Sequence, residues 1–315
     1  MPREFSPATR PTMYFIGVTT RSSSITPVFP RWAERLGLGD VELCGWDFPL
    51  HDAPENYRAA IEFIKRDPLS LGALVTTHKI DVFTACRDLF DVVDPLTVSL
   101  GEVSSIFKRA GRLHGRAIDT VPNRLALEAF LPRDHWRSGG DALVLGAGGA
   151  GTSLVWTLNH PQAGRGRPRR IHLVDRSAAR LEHVRKLHAT FADAVPLECQ
   201  VVSSAAEADA LLARLPPASL IANATGAGKD TPGSPLTDAA VFPERGVVWE
   251  FNYRGELLFL TQARRQAEAR NLQVVDGWVY FLHGWTRTMA DVFDRDLPTS
   301  GPLFDELGRL AAVTR

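Results

Sequence analysis

Cysteine is scarce and scattered in this sequence. The three residues, Cys44, Cys86 and Cys199, have no metal-ligand spacing and are too few for a disulfide framework, so they read as reduced packing residues of a cytosolic protein. Net charge is missing too. The 36 Lys and Arg balance the 36 Asp and Glu, which points away from nucleic acid and from anionic membranes as partners. No apolar run is long enough to span a bilayer. The opening residues, Met1-Pro-Arg-Glu-Phe-Ser-Pro7, lack the apolar core of a secretion signal, and a cytoplasmic location is expected. No metal site, internal repeat or low-complexity tract stands out. At 315 residues the chain is long enough for about two domains.

Glycine is well supplied, and one cluster of it organises the rest. In Asp141-Ala-Leu-Val-Leu-Gly-Ala-Gly-Gly-Ala-Gly-Thr152 a short apolar run feeds Gly146, Ala147, Gly148, Gly149, Ala150 and Gly151, which open a helical pattern. Gly146, Gly148 and Gly151 satisfy G-x-G-x-x-G. The first allows a tight turn, the second lets backbone approach a pyrophosphate, and the third lets helix and strand pack closely. The free N–H groups and the positive dipole end of that helix favour a phosphate there. A second apolar strand, Ile171-His-Leu-Val174, ends on Asp175. This context makes a dinucleotide site the expected reading.

Strand and helix patterns alternate on both sides of this motif. Before it, strands are expected at 14–18, 41–46 and 72–77, the last running into His78 and Lys79. Helices are expected at 27–36, 55–65 and 123–131, with a hairpin of 105–107 against 112–114. After it come strands at 142–145, 171–174, 199–202, 219–222, 246–250 and 273–275. Helices fall at 150–159, 178–191, 205–214 and 255–270, and a last long helix ends near 294. The fold class is α/β: an N-terminal α/β substrate lobe followed by a Rossmann lobe with a doubly wound parallel sheet. The expected domains are residues 1–131, rejoined by 278–315, and residues 132–277. The basic insert 160–170 reads as a solvated connection.

Eight short stretches, in order, resemble the shikimate/quinate dehydrogenase family. Ser22-Ser-Ser24 looks like its S-x-S, and Val75-Thr-Thr-His-Lys79 like V-T-x-P-x-K, one residue shorter and without the proline. Gly101-Glu-Val-Ser-Ser105 sits where the family has G-A-V-N-T, and Gly115-Arg-Ala-Ile-Asp119 where it has G-x-N-T-D. Asp175-Arg-Ser-Ala-Ala-Arg180 replaces N-R-T-x-x-R/K. Asn223-Ala-Thr225, Trp249-Glu-Phe-Asn-Tyr253 and Asp276-Gly277 complete the series.

The resemblance implies a catalytic pair, Lys79 and Asp119, with His78 competing for the role of Lys79 and helix capping an alternative use of Asp119. It implies substrate contacts from Ser22, Ser24, Thr76, Ser104 and Tyr253. His283 would stand beside Gly284, the position of the family's glutamine, either replacing it or simply packed. Asn223, Ala224, Thr225 and Gly277 would line the nicotinamide side. Arg176 and Arg180 suit a 2′-phosphate and hence NADP, whereas the Asp175 carboxylate pairs with a ribose diol; the balance leans to NAD.

The activity implied is reversible, NAD(P)-dependent reduction of a cyclic keto acid, 3-dehydroshikimate or a relative, to the ring alcohol. Either the lysine or the aspartate takes the proton. Because hydroxyl-reading positions differ at Ser104, Ile118 and Gly284, the substrate is expected to be a relative of shikimate, such as quinate or another cyclitol. A non-catalytic nucleotide-binding regulator on the same fold, or a two-lobed dehydrogenase for an amino acid or a folate, is the alternative. The expected partner is a small cyclic hydroxy acid, with the chain a monomer or homodimer.

Overall fold

The computed structural model describes residues 5–161, 164–229 and 231–314. Residues 1–4, and Gln162 and Ala163 of the basic insert, lie outside them. In chain order the elements are β1 (Thr12–Gly17), α1 (Ile25–Arg35), β2 (Glu42–Asp47), α2 (Pro54–Arg66), β3 (Ser70–Val75), α3 (Lys79–Cys86), β4 (Val92–Val93), α4 (Pro95–Leu100), β5 (Ser105–Arg109) and β6 (Arg112–Arg116). There follow α5 (Thr120–Phe130), β7 (Ala142–Leu145), α6 (Gly149–Asn159), β8 (Ile171–Asp175), α7 (Ala178–His188), β9 (Leu197–Val201), α8 (Ala205–Leu212), β10 (Leu220–Asn223) and β11 (Val247–Glu250). The chain ends with α9 (Leu258–Arg264), α10 (Ala267–Arg270), β12 (Gln273–Val275), α11 (Trp278–Val292) and α12 (Pro302–Ala312).

The chain divides into two compact units. Residues up to Ile118, with those from Leu282 onward, form the first, and Asp119–Phe281 forms the second. Helix α5 clusters with the second unit, where the sequence pattern had put it at the end of the first lobe. The second division falls inside α11.

In the first unit the sheet order is β2-β1-β3-β5-β6-β4. Strands β2, β1 and β3 run parallel, while β5 lies antiparallel to both β3 and β6. Alternation along the strands sends Tyr14, Ile16, Ala73 and Val75 to one face. There they bury against Tyr57, Ala60, Ile61 and Ile64 of α2 and Val82, Phe83 and Cys86 of α3. Each such aliphatic side chain contributes roughly 1.5–3 kcal/mol when fully buried. Phe15 packs edge-on against Trp285 of α11. The Trp32 indole of α1 donates to the Leu307 carbonyl of α12 at 2.9 Å. A carboxylate on α11 pins the hairpin: Asp291 accepts from Ser105 Oγ at 3.0 Å and from Arg116 at 2.7 Å.

In the second unit all six strands are parallel, in the order β12-β11-β10-β7-β8-β9. β7 is apolar at every position because both faces are covered. Ala142 and Val144 meet Leu154 and Leu158 of α6 and Leu181 of α7. Leu143 and Leu145 meet Ala208, Leu211 and Leu212 of α8 and Phe259 of α9. From β7 the chain goes to β8 on one side, and β10 occupies the other. The topological switch point therefore lies between β7 and β10, where ligands bind in open α/β sheets. The described arginines of the basic insert are all engaged within the protein. Arg165 donates to the Leu131 and Glu128 carbonyls, Arg167 to Asp193, Arg169 to Asp141, and Arg170 to Glu198.

Three local expectations are corrected. The third strand stops at Val75, so Lys79 is the first residue of α3 rather than a strand end. The helix expected over 255–270 is two pieces, α9 and α10. Gln266, between them, is drawn off by its amide, which accepts from Phe242 N–H and donates to the Ala240 carbonyl. Helix α4 was not anticipated, although Asp94 caps it by accepting from Thr97 N–H at 2.7 Å and Gly101 ends it at φ 65°.

Candidate active site

The first unit gathers its candidates at the carboxyl ends of β1 and β3. The chain leaves β3 through Thr76, whose N–H still donates to the Ile16 carbonyl of β1 at 2.9 Å. It then reverses sharply: Thr77 takes φ 62°, and His78 N–H closes on the Thr76 carbonyl at 2.6 Å. A non-glycine residue at positive φ is costly and persists only where its surroundings impose it. Here the surroundings are two backbone bonds. Val75 N–H donates to the Ser104 carbonyl at 2.9 Å, and Val103 N–H donates to the Lys79 carbonyl at 3.1 Å. The half-buried Lys79 thus starts α3 from a turn clamped against Val103 and Ser104.

His78 has a different position from its neighbour. It is buried, and its Nδ1 lies 2.9 Å from the Tyr57 hydroxyl. That hydroxyl also accepts from Asp52 N–H at 3.2 Å. Burial pushes the Tyr57 phenol up to about 12. The ring therefore anchors the turn within the core, while Lys79 is half-buried at the start of α3.

Ser22 and Ser24 follow β1. Ser22 Oγ donates to the Thr19 carbonyl at 3.0 Å, and Ser24 Oγ to the Thr314 carbonyl at 3.3 Å. Thr20 braces this turn by donating through N–H and Oγ to Asp47 at 2.6 Å. Ser104 is buried, and its hydroxyl accepts from Ile118 N–H at 2.8 Å. Its hydrogen-bonding capacity thus serves the segment leading to Asp119. His283 is buried with its ring stacked on Phe304 at 4.4 Å, a packed histidine in its surroundings.

In the second unit the glycine turn has the expected construction. Gly146 adopts φ 102°, and a Cβ there would meet the Ala224 carbonyl oxygen at 2.9 Å. Gly148 is the N-cap of α6 and faces open space. A Cβ on Gly151 would come within 1.9 Å of the Gly146 oxygen, which is the close helix–strand approach the third glycine permits. The Asp175 carboxylate reaches back to this turn, accepting from Ala147 N–H at 2.7 Å and from Ser177 N–H at 2.8 Å. Arg176 is exposed, and Arg180 lies half-buried in the first turn of α7.

Asn223 ends β10 beside the switch point. Its Oδ1 accepts from Thr225 N–H at 3.1 Å and Thr225 Oγ1 at 2.7 Å. Ala224 N–H donates to the Leu145 carbonyl at 2.8 Å, so the 223–225 turn lies on the glycine turn. Tyr253 packs its ring 4.2 Å from Phe281. A Cβ on Gly277 would meet the Phe251 oxygen at 2.0 Å. Asp119 is buried and precedes α5, but its carboxylate does not cap that helix.

A shikimate dehydrogenase (NADP(+)) from Symbiobacterium thermophilum is 32% identical over 218 residues, 68% of each chain. This chain belongs to the shikimate dehydrogenase family. Its fold agrees with that placement. The crystal structure of the shikimate dehydrogenase of Thermus thermophilus in complex with NADP(H) and shikimate superposes with a TM-score of 0.66 at 23% identity, covering 96% of this chain and 99% of that one. The quinate dehydrogenase of Corynebacterium glutamicum in complex with NAD gives 0.70 at 17% identity, covering 96% and 99%. No protein-family model matches the chain.

Two buried polar residues at the end of β11 are absent from the candidates read from the sequence. Glu250 and Asn252 stand at and beyond the end of β11, inside the quoted stretch Trp249-Glu-Phe-Asn-Tyr253, and both are buried. A carboxylate closing an otherwise apolar strand was the available signal.

Proposed function

We propose that this shikimate-dehydrogenase-family chain reversibly oxidises a ring alcohol of a cyclic hydroxy acid, using NAD(P). The observation that carries the reading is the glycine turn at the switch point, with Gly146, Gly148 and Gly151 each placed where a side chain would obstruct turn, ligand or helix. These residues and the N-terminus of α6 fit a pyrophosphate, and Asn223, Thr225 and Gly277 would hold the nicotinamide side. When bound, the nicotinamide supplies the hydride chemistry. Ser22, Ser24 and Thr76 would hold the substrate carboxylate through several converging donors. Lys79 and Asp119 would hold and relay the proton of the reacting hydroxyl. The residues 1–131 with 278–315 would supply substrate and proton chemistry, and 132–277 the nucleotide.

Spectrophotometric assay of shikimate, quinate and an uncharged cyclitol with each nucleotide tests the reading. Turnover is expected with a carboxylated ring alcohol, and weaker turnover without the carboxylate. If none of the three is oxidised with either nucleotide, the regulatory alternative replaces it.

For the nucleotide, the proposed preference is NAD(H). Asp175 holds a fixed negative charge at the end of β8, clamped by two N–H donors, and this charge opposes a 2′-phosphate despite Arg176 and Arg180. Asp175→Asn is expected to raise the NADP(H)-to-NAD(H) ratio of kcat/KM by tenfold or more, each decade being about 1.4 kcal/mol. An unchanged ratio would remove Asp175 as the discriminating group.

A further inference from the structure

Glu250 is the least explained ionisable group in the second unit. It is fully buried, ends a parallel strand, and is next to the switch point. Its Oε2 accepts from Asn223 Nδ2 at 2.6 Å, and its Oε1 accepts from Asn252 N–H at 2.8 Å. Asn252 passes the connection on, its Nδ2 donating to the Ala227 carbonyl at 3.1 Å, and its own carbonyl accepts from Gly277 N–H at 3.1 Å. Asn223 has only one way to satisfy its neighbours. Its amide oxygen takes both donors of Thr225, which leaves its NH₂ for Glu250. One carboxyl therefore connects the turn after β10, the turn after β11 and the approach to α11.

We infer that Glu250 is a positioning residue for the nucleotide: by anchoring Asn223 and Asn252 it fixes the 223–225 turn against the glycine turn. The inference rests on the nucleotide reading above. It assigns Glu250 a role that extends to charge. Burial pushes the carboxyl up to about 8, against the two N–H donors and the field of Lys229, all of which favour the carboxylate. Asp276 and Arg254 are the other charged residues on the segments packed there, and the Asp276 carboxylate accepts from Trp278 N–H. The raised value puts the loss of its proton within the range of pH 6.5 to 9, so negative charge beside the 223–225 turn builds up over that range. A folded-state value raised above that of the unfolded chain means that stability from the neutral form is lost as pH rises towards 8. Above that, an ionised Glu250 repels an anionic nucleotide.

The test is direct titration of NADH and NADPH by fluorescence at pH 6.5 to 9, with thermal unfolding as the control for folding. Glu250→Ala is expected to lose affinity tenfold or more. Glu250→Gln keeps the size but offers one acceptor oxygen in place of two, so one of the N–H donors of Asn223 and Asn252 loses its partner, and a loss of affinity smaller than that of Glu250→Ala is expected at pH 7. The distinguishing readout is the profile. Wild-type affinity is expected to fall above pH 8, while that of Glu250→Gln stays flat. Wild-type and Glu250→Gln profiles that coincide would overturn the inference even if Glu250→Ala fails to fold. A wild-type chain that binds neither nucleotide would overturn the nucleotide reading itself and this inference with it. Binding by the wild type with an unaffected Glu250→Ala would overturn the inference alone.

Discussion

Lys79→Met is expected to lower kcat by about 10²- to 10⁴-fold, the range ordinarily lost with a proton-transferring side chain, while NADH binding stays near wild type. The separation follows from where the residue sits. Lys79 starts α3 in the first unit, and the bonds that shape its turn are made by backbone: the Lys79 carbonyl with Val103 N–H, and the His78 carbonyl with Val82 N–H. Methionine keeps the length and the apolar stem, so the clamp against Val103 and Ser104 survives. What is removed is the only part of the residue that can exchange a proton. The glycine turn belongs to the other unit, so its affinity for nucleotide has no reason to change. Asp119→Asn should cost a similar factor. On the proposed relay the double variant should be little worse than either single one, because residues that act as a unit in catalysis are not additive. If Lys79→Met keeps a tenth or more of wild-type kcat, the pair is not the proton relay. His78 would then be the next residue to replace, despite its hydrogen bond to Tyr57.

The second unit was legible because its signals are local. The four apolar residues of β7, three spaced glycines and an acidic strand end are sufficient to fix strand, turn, helix and the next strand. Each of these rests on the chemistry of neighbouring residues. The first unit was harder to read for the opposite reason. The turn before Lys79 depends on Thr77 at positive φ, and nothing in Val75-Thr-Thr-His-Lys79 announces it. It is imposed by Val103, Ser104 and Tyr57, all distant in sequence. Helix α4 was readable in principle, since Asp94-Pro95 at its start and Gly101 at its end are ordinary cap signals. It was passed over because six residues are too few to show a period. Glu250 was missed for a third reason: a single carboxylate in a strand pattern looks like an exposed end, and only the topology buries it beside the switch point. Ser104 illustrates the converse. Its hydroxyl, expected to meet substrate, also accepts from Ile118 N–H, so the segment entering Asp119 depends on the same residue, a contact that no local pattern shows.

Two glycines three positions apart should fail in different ways when replaced by alanine. At Gly151 a Cβ would lie 1.9 Å from the Gly146 oxygen. Alanine ordinarily favours a helix over glycine by roughly 1 kcal/mol, but here the obstruction is backbone, which cannot rotate away. α6 must move off β7, disturbing the packing of Leu154 and Leu158 on Ala142 and Val144. Gly151→Ala is therefore expected to lose on the order of 1–3 kcal/mol of stability together with nucleotide affinity. Gly148 differs. Its φ of −73° and ψ of −173° suit any residue, and a Cβ there meets nothing within 4 Å. Gly148→Ala should thus unfold at the wild-type temperature. The space it fills is where backbone must approach a pyrophosphate, so NADH affinity should fall tenfold or more. Thermal unfolding and nucleotide titration on the two variants separate the cases. A Gly148→Ala chain that binds NADH as the wild type does would mean that no phosphate approaches this turn, and the assignment of the crevice between β7 and β10 would go with it.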